Sequence, residues 1–89
     1  MRVRGNKYWN WADVRIHSRT HEEMLSDGTN FDVQARLSRT GETQMFIGVY
    51  APSGRTIREE AYSRRPGETV TKALAWGVER ARTLASEAR

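Results

Sequence analysis

The sequence predicts an α+β domain: an antiparallel three- to four-stranded meander with one long C-terminal helix packed on one face. Three observations predict it. Val70, Ala73, Leu74, Gly77, Val78, Ala81, Leu84, Ala85 and Ala88 recur at the i, i+3, i+4, i+7 spacing of an apolar helical stripe. Residues 31–62 alternate instead with period two, as half-buried strands do. Turn residues, Asp-Gly, Thr-Gly and Pro-Ser-Gly, punctuate that alternation.

The first eighteen residues are the least regular. Met1 to Lys7 has one glycine and little apolar pattern, so residues 1–7 are expected as a flexible basic arm before a single domain over 8–89. Tyr8 to Ser18 reads as a strand, because Ala12, Val14 and Ile16 alternate with Trp11, Asp13, Arg15 and His17. The competing reading is a helix, since Asn10 followed by Asp13 resembles an N-cap start and Trp11, Val14, Ser18 and Leu25 could share one face. Thr20-His21-Glu22-Glu23 matches the capping box and predicts a short helical turn from His21 to Ser26, ended by Asp27-Gly28.

The rest follows more directly. Phe31, Val33, Ala35 and Leu37 point to one side of a strand, and Asp32, Gln34, Arg36 and Ser38 to the other. Thr40-Gly41-Glu42 turns the chain into a strand with Met45, Ile47, Val49 and Ala51 inward. Pro52-Ser53-Gly54 turns it again, into a strand with Ile57 and Ala61 inward and Arg58, Glu60 and Tyr62 outward. Arg64-Arg65-Pro66-Gly67 ends the sheet, and Thr69 is the expected N-cap of a helix running to Arg89. Gly77 costs about 1 kcal/mol in helix propensity relative to Ala. Its place on the buried stripe predicts close helix–sheet approach, against Phe31 or Val49.

Bulk composition bounds the function. Eighty-nine residues with 37% hydrophobic and 29% charged content suit one small soluble domain with a modest core. The lack of cysteine removes disulfides and thiolate ligands, and makes a reducing, cytoplasmic setting the expectation. No stretch has the length and apolarity of a membrane span, so no membrane partner is expected. The net charge is +4, with 15 basic residues against 11 acidic. Residues 1–19 carry Arg2, Arg4, Lys7, Arg15 and Arg19 against Asp13, and the remaining residues balance. All the basic residues but Lys7 and Lys72 are Arg, whose guanidinium forks onto phosphate oxygens.

Catalytic patterns fail on spacing. His17 and His21 are four apart, but HSRTH places no Glu between them and supplies no third metal ligand. Glu59 and Glu60 are neighbours on a predicted strand and point to opposite faces, so they cannot work as an acid–base pair. No serine lies in a nucleophile elbow, and Gly41 and Gly48 lie outside any Gly-rich strand-to-helix turn. No catalytic residue, metal ligand or cofactor is expected, and the chain reads as a non-enzymatic binding module.

Two surfaces carry the functional expectation. Phe46 and Tyr50 point away from the helix, joined by Tyr62, Arg58, Arg36 and Gln34; rings interleaved with Arg suit a single-stranded nucleic acid. The competing reading has Tyr8, Trp9 and Trp11 fold over that face and bury the rings. Trp76 lies about 130° from the centre of the apolar stripe, with Lys72 and Arg80 on the same ridge. It suits an interface anchor, a nucleic-acid contact, an intramolecular cation–π stack or a ring covered by the N-terminal arm. The order strand, strand, strand, helix over residues 31–88, with Lys72 near the helix start and Arg64 and Arg65 upstream, resembles the topology of double-stranded RNA-binding domains. The likeness is one of topology and not of motif, since those domains place several lysines where this chain has one.

The expected function is nucleic-acid binding, to RNA or DNA, with low sequence specificity. Its residues would be Arg2, Arg4, Lys7, Arg15, Arg19, Arg36, Arg58, Arg64, Arg65 and Lys72. The alternative is a protein–protein module, such as a small regulator, inhibitor or accessory factor encoded by a mobile element, able to homodimerise. It would use Trp76, Arg80, Phe46, Tyr50 and Tyr62.

Overall fold

The structure is a computed structural model that describes residues 2–65 and 68–87. The element order is α1 (Asn6–Trp11), β1 (Arg19–Met24), β2 (Asn30–Leu37), β3 (Thr43–Tyr50), β4 (Thr56–Tyr62) and α2 (Val70–Glu87). The strands form one antiparallel sheet in the order β1-β2-β3-β4. α2 packs on one face, which makes the domain α+β as the patterning predicts. The β2–β3 and β3–β4 hairpins turn where the sequence places them, and Asp27-Gly28 joins β1 to β2 instead of ending a helical turn; Gly28, Gly41 and Gly54 occupy the left-handed region that glycine adopts without strain.

The inner core lies between α2 and the sheet. Phe31, Val33 and Ala35 of β2 and Met45, Ile47 and Val49 of β3 meet Ala73, Ala81, Leu84 and Ala85 of α2. Val70, Leu74 and Val78 flank this contact. The stripe read from the sequence therefore faces the sheet, although Ala88 and Arg89 lie outside the described residues, as do Pro66 and Gly67 of the predicted sheet break. Thr69 caps α2, its hydroxyl accepting from the Lys72 amide at 3.1 Å. Leu37, expected inward, closes the β2–β3 ladder opposite Thr43 and is 55% exposed.

Three local readings are corrected. No strand covers 8–18: the chain forms the six-residue α1 and then an irregular segment in which Val14 is fully exposed. The fourth strand is β1, where a helical turn was expected. Its capping-box residues extend along the open edge of β2, with His21 opposite Val33 and Glu23 opposite Phe31. Ladder hydrogen bonds to β2 and the stack of His21 on Phe31 outweigh one local turn. With His21 in a strand, the i, i+4 relation to His17 places the two rings on no common helix face.

The phase of β4 is inverted. The register passes from Val49↔Arg58 to Tyr50↔Thr56, so Ile57 is the extra residue of a bulge. Beyond it Arg58, Glu60 and Tyr62 lie on the α2 side, opposite Val49, Ile47 and Met45, while Glu59 and Ala61 face outward. Alternation alone could not show this, because β4 is an edge strand beside the helix margin, where polar side chains reach α2.

Gly77 lies where α2 packs directly on Val33 and Met45. A Cβ there would stand 2.5 Å from Val33 Cγ1 and 2.6 Å from Met45 Sδ. Close approach is as expected; the contacted residues are Val33 and Met45. Gly77→Ala is expected to lower stability by about 1–2 kcal/mol in urea denaturation, the overpacking exceeding the gain in helix propensity. An unchanged or higher midpoint would show that the interface can absorb a methyl group.

Candidate nucleic-acid interface

The outer sheet face is closed by the N-terminal segment. Asp32 is fully buried there and accepts from Arg4 through both oxygens, NH1 to Oδ1 at 2.8 Å and NH2 to Oδ2 at 2.9 Å. Gln34 Nε2 adds a third bond at 3.0 Å. Arg4 also donates to the Tyr50 hydroxyl at 2.5 Å and lies 4.2 Å over the Tyr8 ring. Burial disfavours the charged form of Arg4, but the bonds to Asp32 and Tyr50 outweigh it and raise its pKa. Burial pushes the Tyr50 phenol up to about 12, against the Arg4 bond that would lower it.

Arg2 donates to Asn30, Glu22 and the Phe31 carbonyl. The Val3 amide donates to Gly54 O at 2.7 Å, and the Thr56 hydroxyl donates to Val3 O. The residues read as a basic arm thus run along the sheet. α1 follows with no cap of its own, since its N-cap is Gly5. Glu59 supplies one across the fold, accepting from the Gly5 amide at 2.9 Å and the Tyr8 amide at 3.4 Å. Lys7 donates to the Glu59 carbonyl.

Phe46 and Tyr50 do point away from α2, but both are fully buried. Tyr8 meets Phe46 edge-on at 5.1 Å, and Trp11 lies 5.7 Å from it. The open stacking face read from the sequence is therefore a second core, as the competing reading had it, with Tyr8 and Trp11 as its lid. Trp9 is not part of that lid and is 65% exposed. Tyr62 belongs to the opposite face, where it meets Trp76 edge-on at 5.7 Å.

The Lys72–Trp76–Arg80 ridge is also largely engaged. The Arg65 guanidinium covers Trp76 at 4.2 Å, leaving the residue 38% exposed. Arg80 donates through Nε and NH2 to Glu60, which Arg58 and Tyr62 also contact. The hydrogen bond from Arg80 leads the effects that hold the Glu60 carboxyl down to about 2.

The other basic residues singled out in the sequence gather at one end. The start of β1, the β2–β3 hairpin, the end of β4 and the start of α2 share it, as the register, the Arg65 N to Thr43 O bond and the Arg19 to Thr71 bond require. The segment after α1 leads there too. This end holds Arg15, Arg19, Arg36, Arg39, Arg64, Arg65 and Lys72 against Asp13, Glu42 and Glu68. Its excess of four equals the net charge of the chain, and the rest of the sequence is balanced. Within it Arg15 pairs with Asp13, Arg64 with Glu42 and Arg65 with Glu68. Arg39 was missed by the sequence reading, and the hairpin that carries it to this end was its only signal.

Comparison of the chain with protein-family models, curated proteins and solved structures finds no significant match. The likeness to double-stranded RNA-binding domains is limited to the order of three strands and a helix. A further strand precedes them, and α1 lies across β3 and β4 on the face opposite α2. The class the fold defines is a four-stranded antiparallel sheet with a helix on each face. No helix among the described residues is long and apolar enough to cross a membrane.

Two outcomes are expected. Asp32→Ala removes the carboxylate that pairs with Arg4 and should cost about 3 kcal/mol or more, with faster amide exchange at Gly5 and Tyr8; retained protection would mean that α1 docks without the ion pair. For Glu60, a lowered pKa means that the folded state holds the ionised form. Its contribution is complete above the ordinary value of 4.5 and is lost as pH falls toward about 2. Glu60→Gln should therefore flatten the fall in thermal midpoint over that window, measured by circular dichroism.

Proposed function

We propose that the protein is a non-enzymatic module that binds nucleic acid through the basic end of the sheet. The observation that carries this reading is the collection of the whole charge excess at one end, around the start of α2. Six of the seven cations there are Arg. Binding would neutralise phosphates and release counterions, a mechanism that gives affinity with little sequence preference. The buried state of Phe46 and Tyr50 argues for backbone recognition and against base stacking on the sheet.

Arg15, Arg19, Arg36, Arg39, Arg64, Arg65 and Lys72 are the residues of this interface. Arg2 and Arg4 hold the N-terminal segment, while Arg58 and Arg80 are bound to Glu60. A protein partner is the second reading, favoured by the remaining exposure of Trp76. Trp76→Ala would then abolish partner capture or self-association and leave nucleic-acid affinity intact.

Fluorescence anisotropy with labelled single- and double-stranded oligonucleotides tests the proposal. Log affinity should fall linearly with log salt. Arg39→Ala and Lys72→Ala should each reduce the slope by about 1, and Arg55→Ala at the opposite end should leave it unchanged. Absence of binding at low salt to either form would sink the reading.

A further inference from the structure

Arg36 is the one buried cation among the described residues, and no carboxylate of those residues pairs with it. It is 7% exposed, and its guanidinium carbon stands 3.7 Å from the Trp11 ring centroid. Nε donates to Gln44 Oε1 at 2.8 Å, but among the described residues the terminal nitrogens have no protein acceptor. Asp13, the nearest acid in charge, is held by the Nε and NH2 of Arg15. A buried guanidinium is ordinarily paired, because losing hydration costs several kcal/mol per ion. Desolvation accordingly pushes the Arg36 pKa down.

A second donor shares the surplus. Trp11 Nε1 is buried without a hydrogen-bond partner. Arg and Trp side chains only donate, so the terminal nitrogens of Arg36 and Trp11 Nε1 are donors that no acceptor of the described residues meets. A cleft of about 440 Å³ opens beside it, lined by Tyr8, Trp11, Asp13, Arg15, Gln34 and Arg36 together with the segment after α1. That volume lies within the roughly 300–1,000 Å³ typical of ligand sites. Trp11 is packed against Phe46 and covered by Arg36, which leaves no open ring there for a base.

The missing component is a compact, negatively charged cluster of acceptors. We propose that this cleft is a phosphate-binding site, with the terminal nitrogens of Arg36 forking onto two phosphate oxygens and Arg15 at the rim. Phosphate suits it better than a single carboxylate because the whole end carries excess positive charge. That the phosphate belongs to a nucleic acid rests on the function proposed above; the site itself does not.

The test is a titration of ¹⁵N-labelled protein with inorganic phosphate in dilute chloride buffer, followed at Arg36 Nε–H and Trp11 Nε1–H. Saturable shifts at both are expected. Arg36→Lys keeps the charge but loses the fork, and should weaken phosphate binding about tenfold; a thermal melt confirms that it folds. Arg55→Gln, which removes a distant charge, should change nothing. Oligonucleotides with 5′-phosphate or 5′-hydroxyl ends identify the source. Competition by the first alone assigns strand ends, by both assigns the backbone, and by neither assigns a free phosphate. Non-saturable shifts, equal affinity in Arg36→Lys, or displacement by equimolar acetate would each overturn the site. Phosphate binding without oligonucleotide binding would keep the site and remove the nucleic-acid reading; oligonucleotide binding indifferent to phosphate and to Arg36→Lys would do the reverse.

Discussion

The structure depends on a carboxylate in an apolar place. Asp32 sits at the centre of the outer sheet face with no exposure, and an ion there requires a partner. Arg4 is that partner, gripping both oxygens. Bringing Arg4 over the sheet carries residues 2–5 with it, positions α1 on the Glu59 carboxylate, and sets Tyr8 and Trp11 over Phe46. One buried charge thus converts a sheet with one covered face into a sheet covered on both. A domain of this length gains much from that, since its surface is large relative to its core.

The two faces are held by different physics. Between α2 and the sheet the contact is apolar and close, with alanines and Gly77 letting the helix approach Val33 and Met45. Across the outer face it is a network of charge, amide and ring contacts, in which Asp32 and Glu59 each satisfy several donors. Such networks are sensitive to the loss of one member, because the remaining polar groups are already desolvated. Arg36 departs from this pattern, buried among donors and aromatics without an acid of its own.

Charge is where linear sequence and space diverge most. Along the chain, the excess belongs to residues 1–19. In the fold, Arg2 and Arg4 are bound to partners far along the chain, and the excess moves to the end shared by the β2–β3 hairpin and the start of α2. Arg64, Arg65 and Lys72 are placed together by chain neighbourhood, whereas Arg15, Arg36 and Arg39 join them only through the sheet. A list of arginines could not separate those that build the fold from those left to meet a partner.

By itself the sequence determined the α+β class, the C-terminal helix and its buried stripe, the three glycine turns, and the alternation of β2 and β3. These are set by local periodicity and backbone freedom, which need no knowledge of the neighbours. Tertiary structure decided the rest. The edge of β2 drew Arg19–Met24 into a strand against its capping pattern, and a bulge at Ile57 reversed the faces of β4. Glu59 capped α1 from 51 residues away, measured to Tyr8. For β1 the ladder to β2 outweighed a capping preference of about 1 kcal/mol, and for α1 a carboxylate on β4 supplied the cap that its own sequence lacks.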